Sequence, residues 1–209
     1  NADVQIGWEI ATDSGFTDLV HSGTAGTNAA RDFTLKVDAQ NLLPGTRYYF
    51  RFKVAGVTSP VGHCKTLPAG SIEQVRFAVL SCSNYPAGLF HVYAAAAAES
   101  ELDAVLHLGD YMYEYGNGGY ATEDAAALGR LLPEDNANEI LSLDDYRKRY
   151  ALYRTDTDLQ SLHASAPFIA VWDDHEVAND TWRDGAENHN DGEGDFTERK
   201  LAALQAYFE

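Results

Sequence analysis

Segments in which apolar and polar residues alternate fill the first third of the chain. Alternation with a period of two is typical of strands that bury one face, and turns rich in Gly, Pro, Asp and Asn separate these segments. The predicted strands cover residues 4–11, 19–23, 32–37, 47–57 and 61–66. Short strands at this spacing favour a β-sandwich, and we predict such a domain for residues 1–68.

A Pro-Gly turn precedes the fourth of these strands. The segment Leu-Leu-Pro-Gly-Thr-Arg-Tyr at residues 42–48 is similar to the L-x-P-G-T-x-Y segment of fibronectin type III domains, in which a tyrosine bonds back to the backbone. That resemblance implies about seven strands, and fewer are visible here. The fibronectin type III-like sandwich is therefore expected to be incomplete, with its first strands outside the numbered residues.

The pattern changes after a linker at residues 67–71. Apolar strand segments now alternate with segments of helical periodicity, which is typical of α/β layers with helices on both faces of a sheet. The predicted strands are residues 75–81, 104–108 and 168–172, and the predicted helices are residues 90–99, 144–164 and 198–209. Residues 114–142 and 183–197 lack periodicity and are predicted to be loops, the first of them beside the site.

The composition narrows the class of protein. The chain has 209 residues, enough for one large or two small domains with a buried core. A formal net charge of −17 argues against a nucleic-acid-binding or anionic-membrane surface, since both require basic patches. No apolar run approaches the ~18 residues of a membrane span, and no signal-peptide pattern is present. Cys64 and Cys82 lie in different contexts and are expected to be unpaired.

Groups of polar and metal-binding side chains follow the predicted strands of the α/β region. They are Ser81-Cys82-Ser83-Asn84, Gly109-Asp110-Tyr111-Met112-Tyr113 and Asp173-Asp174-His175-Glu176. Ligands bind at the carboxyl ends of the strands in open α/β sheets, so these groups are expected to converge. Each group alone is weak evidence, but their convergence predicts a hydrolytic metal site. The sequence contains no P-loop, nucleophile-elbow or dinucleotide-binding motif that favours another chemistry.

Cys82, Asp110 and Tyr113 are the candidate ligands of a first metal ion. One carboxylate offers two oxygens, so Asp110 can bridge two ions, and a phenolate from Tyr113 suits a hard trivalent ion such as Fe³⁺. Structural roles remain open for each residue. Cys82 can be a small buried residue at a strand end, Asp110 a turn cap and Tyr113 a packing residue.

Asp173, Asp174 and His175 are the candidates after the last strand. Two adjacent carboxylates raise each other's pKa unless a cation neutralises them, which favours metal ligation by at least one of the pair. His175 is suited to bonding a phosphoryl oxygen or protonating a leaving alkoxide, and we predict that it is the catalytic residue. The alternative for His175 is an interior histidine with satisfied hydrogen bonds.

These segments resemble the alkaline phosphatase D family, or PhoD-like phosphatases, within the calcineurin-like metallophosphoesterases. The resemblance rests on residues 81–84, 108–114, 144–162 and 171–177, and on the fibronectin-like region that precedes them. It covers nearly the whole chain and implies a metallophosphoesterase α/β domain for residues 69–209. The family completes its metal site farther along the chain, so this domain is also expected to be incomplete and the native protein to be larger.

The resemblance implies a secreted or periplasmic phosphomonoesterase and phosphodiesterase in which a metal-bound hydroxide attacks phosphorus. It implies Fe³⁺ held by Cys82, Asp110 and Tyr113, and Ca²⁺ shared by Asp110 and Asp174 with Asp173 as a further ligand; other divalent metals stay open. The implied partner is a phosphate-ester substrate. Its identity and the oligomeric state stay open. Two alternatives remain, a non-catalytic binding module with a degenerate metal site and a dinuclear hydrolase of another ester.

Overall fold

The computed structural model describes residues 3–209, and the alternating segments of the first region form one antiparallel sheet. Its strands are β1 (Val4–Ala11), β2 (Leu19–Thr27), β3 (Arg47–Val54), β4 (Val57–Thr58) and β5 (Gly62–Lys65). The order is β2-β1-β3, and both β4 and β5 pair with the other edge of β3. The predicted β-structure is confirmed. A second, facing layer is not found among residues 3–209, so the sandwich stays a prediction.

The strand predicted at residues 32–37 is wrong. A 3-10 turn over Ala29–Arg31 precedes this segment, and Asp32 and Phe33 take positive φ angles of 48° and 55°. Two successive left-handed residues turn the chain and are incompatible with an extended strand. Val37 lines a cavity against the sheet. The apolar side chain of Val37 therefore packs against the sheet, although the residue belongs to no strand.

The single strand predicted over residues 47–57 is a hairpin. Ala55 and Gly56 separate β3 from β4 and have φ angles of 48° and 82°, which suit a two-residue turn between antiparallel strands. At the start of β3, the Tyr48 hydroxyl accepts a hydrogen bond of 2.9 Å from the backbone N–H of Leu43. This bond closes the corner that the Pro-Gly turn predicts.

The second region contains a parallel sheet in the order β6-β7-β8, as the alternation of strands and helices predicts. Its strands are β6 (Phe77–Leu80), β7 (Ala104–His107) and β8 (Phe168–Ala170), and its helices are α1 (His91–Ala97), α2 (Ala125–Leu128), α3 (Leu143–Tyr153), α4 (Thr157–Ser165) and α5 (Phe196–Phe208). Helices were predicted on both faces. Phe77, Val79 and Ile169 are 49%, 58% and 59% exposed, so one face lacks a covering helix within residues 3–209.

The single helix predicted over residues 144–164 is broken between α3 and α4. The Asp156 carboxylate caps α4 by accepting a hydrogen bond of 2.9 Å from the N–H of Asp158. Asp156 also forms an ion pair of 2.6 Å with Arg130, and both side chains are only 8% exposed. A carboxylate that caps one helix and holds a cation from another segment stops the first helix, although the apolar periodicity continues through the break.

The segment at residues 114–142, predicted to be a loop, contains the short helix α2 and is held in place by Arg149 of α3. This side chain is 1% exposed. Its guanidinium donates hydrogen bonds of 2.6–3.1 Å to four backbone carbonyls, those of Tyr113, Tyr115, Asn136 and Asn138. A guanidinium presents five donors in a fixed fork, so one side chain can order several stretches of irregular backbone. The loop is thereby fixed beside the end of β7.

The two cysteines belong to different sheets. Cys64 lies on β5, and Cys82 follows β6. Both thiols are free, as predicted. No helix within residues 3–209 is long and apolar enough to cross a membrane.

Candidate metal centre

The carboxyl ends of β6, β7 and β8 lie side by side, in agreement with the strand-end argument. The N–H of Cys82 donates to the carbonyl of Gly109 at 3.2 Å, and that of Ser83 donates to the carbonyl of Asp110 at 2.8 Å. On the other side, the N–H of Val171 donates to the carbonyl of His107 at 3.0 Å. The three groups recognised in the sequence are therefore neighbours in space.

Gly109 allows the ends of β7 and β8 to approach closely. Its φ is 101°, and a Cβ here would lie 2.5 Å from both the Cβ and the backbone nitrogen of Asp173. Cys82 and Asp110, with φ angles of 61° and 53°, also have left-handed backbone. Such conformations cost about 1–2 kcal/mol for a non-glycine residue and persist only where surrounding contacts impose them.

At Asp110, Glu176 supplies those contacts. Its carboxylate accepts hydrogen bonds from the backbone N–H groups of Asp110 at 3.1 Å, Tyr111 at 2.6 Å and Asp173 at 2.7 Å. Burial raises the pKa of Glu176, and these three bonds oppose that shift. Glu176 thus ties the turn after β7 to the turn after β8. The sequence places Glu176 in the group after the last strand, but it does not predict this bridging role.

Asp110 lies at the centre of the cluster. Its Oδ2 accepts hydrogen bonds from the Cys82 thiol at 3.3 Å and the Tyr113 hydroxyl at 3.2 Å. Its Oδ1 is buried and has no hydrogen-bond partner among residues 3–209. Burial raises the pKa of Asp110, and Asp174 adds to this, while His175 and the two hydrogen bonds oppose it. A buried carboxylate oxygen without a donor is costly unless a cation neutralises it.

Asp110, Asp174 and His175 each present one ligand atom, and these atoms all lie within 4.8 Å of one another. Asp174 is oriented by two backbone donors, the N–H of His175 at 3.0 Å and the N–H of Asp180 at 2.5 Å. Carboxylate oxygens and an imidazole nitrogen are common ligands of divalent and trivalent ions. These residues, together with the partnerless oxygen of Asp110, fit a cation.

His175 is held by Glu114, a residue that the sequence pattern does not place in the site. Its Nδ1 lies 2.8 Å from Oε2 of Glu114, which is fully buried. The imidazole also stacks on Tyr113, with ring centroids 4.1 Å apart. Burial by itself lowers the pKa of His175, but the hydrogen bond and charge of Glu114 outweigh burial and the pKa is raised. Because Glu114 occupies Nδ1, Nε2 is the nitrogen available to a ligand.

Glu114 also connects the loops that follow β7 and β8. Its Oε1 accepts hydrogen bonds from the backbone N–H of Asn179 at 2.7 Å and from the side-chain amide of Asn188 at 2.8 Å. The sequence offered only one signal for Glu114, its position directly after Tyr113. A carboxylate in an irregular loop has no periodicity from which its partner can be predicted.

Asp173 is placed differently from the other predicted residues. Its side chain is exposed and lines a neighbouring cavity together with Trp172, Asp174 and Lys200. Only its backbone N–H contributes to the cluster, through the bond to Glu176. The structure therefore brings together Cys82, Asp110, Tyr113, Asp174 and His175, and leaves the carboxylate of Asp173 outside the group of three ligand atoms.

Comparison with known proteins places this cluster in a family. The PhoD-like phosphatase model matches residues 77–209, and the model of the PhoD-like phosphatase N-terminal domain matches residues 1–68. Alkaline phosphatase D of Bacillus subtilis (strain 168) is 40% identical over 208 residues, which are 99% of this chain and 34% of that protein. A solved structure of PhoD has 38% identity and a TM-score of 0.88, and the match covers 99% of this chain and 38% of that one. The chain thus spans about a third of the length of its curated relative, and it belongs to the PhoD-like phosphatase family.

Proposed function

We propose that this chain carries part of the metal centre of a phosphoesterase that hydrolyses phosphate esters. The observation that carries the proposal is the environment of Asp110. One of its carboxylate oxygens is buried without a donor, and the other contacts a thiol and a phenol. Membership of the PhoD-like family supports phosphate esters, both monoesters and diesters, as the substrate class.

The donor set favours two different metals. We assign Fe³⁺ to Cys82, Asp110 and Tyr113, because thiolate and phenolate ligands suit a trivalent ion. Burial and then the charge of Asp110 raise the pKa of Tyr113, so its phenolate forms only opposite a strong Lewis acid. Ca²⁺ prefers carboxylate oxygens, which supports a second ion that Asp110 and Asp174 would hold. Asp173 lies outside the group of three ligand atoms, but its side chain lines the same cavity as Asp174, which supports it as a further ligand.

Bound cations would lower the pKa of water and neutralise charge on the phosphoryl oxygens. His175 then serves as the proton donor to the leaving oxygen, since the buried carboxylate of Glu114 beside Nδ1 stabilises a protonated ring. Glu114 fixes the ring by holding Nδ1 at 2.8 Å, so that the transferred proton comes from Nε2. Glu176 keeps the two strand ends at the spacing that brings Asp110 and Asp174 together.

The proposal also covers the domain that precedes the metal centre and the location of the protein in the cell. The sheet of residues 3–66 forms one layer of a fibronectin type III-like sandwich, a view supported by the corner bond between Tyr48 and Leu43. The family resemblance extends the proposal to a secreted or periplasmic location. A degenerate binding module is disfavoured, because such a module gives no reason to keep the Asp110 oxygen buried without a donor.

Elemental analysis tests the proposal directly. Protein purified without added metal or chelator is expected to contain about one iron per chain with calcium alongside. It is also expected to hydrolyse p-nitrophenyl phosphate and bis-p-nitrophenyl phosphate. Asp110→Asn removes the charge that both ions share, so we expect loss of the iron and a fall in kcat/KM of about 1000-fold.

The matched control is Asp191→Asn, which makes the same change at an exposed position of the acidic loop. This variant is expected to keep both its metal and its turnover. Wild-type protein without stoichiometric metal would overturn the proposal, as would an Asp110→Asn protein that retains metal and activity.

A further inference from the structure

A cleft of about 380 Å³ opens directly beside the candidate metal centre. Cys82 and Tyr113 form its inner end, and both of these residues contact the Asp110 carboxylate. The outer end is formed by the turn before α1 and by α1 itself, where Leu89 and Val92 are 48% and 61% exposed. The cleft therefore leads from the ligand cluster to an apolar opening.

The walls of this cleft are uncharged. Among the described residues that line it there is no Lys, Arg, Asp or Glu. Phe90 and Tyr93 form a buried aromatic floor, at 6% and 2% exposed. Ser81 and Asn84 supply a hydroxyl and an amide, but the walls offer no cation to a second phosphate or a carboxylate, and burying an unpaired charge is costly. They complement an uncharged, apolar group.

Tyr120 also lines the cleft. Its ring is 62% exposed and stacks against Tyr113, with centroids 6.3 Å apart and an interplanar angle of 17°. Its backbone carbonyl accepts a hydrogen bond of 3.1 Å from the side chain of Asn84, which also lines the cleft. A fixed and exposed aromatic ring beside a ligand cluster presents a stacking face to whatever group occupies the cleft.

We propose that this cleft binds the uncharged aromatic alcohol portion of a phosphate ester, with Tyr120 as the residue that determines this specificity. The inference rests on the proposed function, because it places the phosphoryl group at Asp110 and the ester group beyond Cys82 and Tyr113. Aryl phosphates are then preferred to esters whose alcohol carries further negative charge.

Equilibrium binding tests the cleft without turnover. Methylphosphonate and benzylphosphonate share one head group and carry C–P bonds that a phosphatase does not hydrolyse. By calorimetry on the metal-loaded protein, benzylphosphonate is expected to bind about tenfold more tightly. Tyr120→Ala is expected to reduce this ratio to about two, whereas Tyr120→Phe keeps the ring and the ratio. Leu131→Ala, at an exposed site outside the cleft, serves as the control.

The outcomes of these measurements distinguish the proposed aromatic subsite from the proposed hydrolysis. Equal binding of the two phosphonates by the wild-type protein, or an unchanged ratio in Tyr120→Ala, would overturn the aromatic subsite. A tenfold ratio that depends on Tyr120, in a protein that does not hydrolyse p-nitrophenyl phosphate, would uphold the cleft and overturn the proposed hydrolysis. A Tyr120-dependent ratio together with hydrolysis supports both.

Discussion

The sheet of residues 3–66 and the α/β region of residues 77–209 treat charged side chains differently. In the sheet, Glu9 pairs with Arg51 and Lys53, and these side chains remain 17%, 26% and 42% exposed. In the α/β region, Arg149, Glu114 and Glu176 are almost fully buried. Each of these buried groups bonds to backbone atoms of irregular segments.

The difference follows from how the backbone groups of each region find hydrogen-bond partners. Strands satisfy their own backbone groups through the ladder, so the sheet requires no internal charge. The loops beyond β7 and β8 have no ladder, and buried charged side chains supply the missing partners. Charged groups bond more strongly than neutral ones, which suits them to this task. The candidate metal centre lies among these loops, where charged side chains take the place of the ladder.

Arg149→Met is expected to have the largest effect, because it removes a buried charged side chain from the α/β region. Buried carbonyls of the loop at residues 114–142 would lose their donors, and the free energy of unfolding is expected to fall by about 3–5 kcal/mol. Urea unfolding followed by circular dichroism measures the change. Lys148→Met removes the same charge from a side chain that is 38% exposed and is expected to cost under about 0.5 kcal/mol. Similar losses from the two variants would contradict a special role for the buried charge.

Glu114→Gln tests the role of a buried charge at the candidate metal centre itself. The amide retains the shape of the side chain but removes the charge that holds His175 Nδ1, so kcat for p-nitrophenyl phosphate is expected to fall about 100-fold with little change in KM. Steady-state kinetics separates the two constants. Glu123→Gln, an exposed change in the same loop, is the control. An unaltered kcat would show that Glu114 does not position the imidazole.

The pH dependence of stability provides a third test. Burial lowers the pKa of His107 to about 4, so between pH ~6.5 and 4 the unfolded chain binds a proton that the folded chain excludes. Stability therefore falls as the pH decreases through this window, by about 2 kcal/mol from this residue. Urea unfolding at a series of pH values measures the slope. His107→Gln should flatten it, and a slope unchanged by the substitution would assign the effect to other groups.

Tyr48→Phe tests the first region and has the smallest expected effect. It removes the hydroxyl that accepts a hydrogen bond from Leu43 and leaves that N–H without its partner, at an expected cost of about 1–2 kcal/mol. Thermal unfolding measures the loss, with Tyr49→Phe at the neighbouring half-buried position as the control. Equal melting temperatures for the two variants would mean that the corner bond contributes little to the sheet.

Sequence by itself determined the elements whose signal is local. Alternation located β1, β3 and β5, and the appearance of helical periodicity between apolar strands separated the antiparallel sheet from the parallel one. The three groups at the strand ends were also recognisable, since the carboxyl ends of neighbouring parallel strands necessarily lie at one edge. That geometry brought Asp110, Asp174 and His175 together from distant parts of the chain.

Only the tertiary structure decided where the predicted elements break and which way individual side chains point, because both depend on partners far away in the chain. The left-handed pair at Asp32 and Phe33 replaced a predicted strand. The contact of Asp156 with Arg130 accompanies the helix break. Whether a carboxylate points into the site or away from it is set by a few backbone angles at the strand end, which periodicity does not encode. Asp174 therefore joined the cluster, while the adjacent Asp173 only lines the cavity that the two residues share.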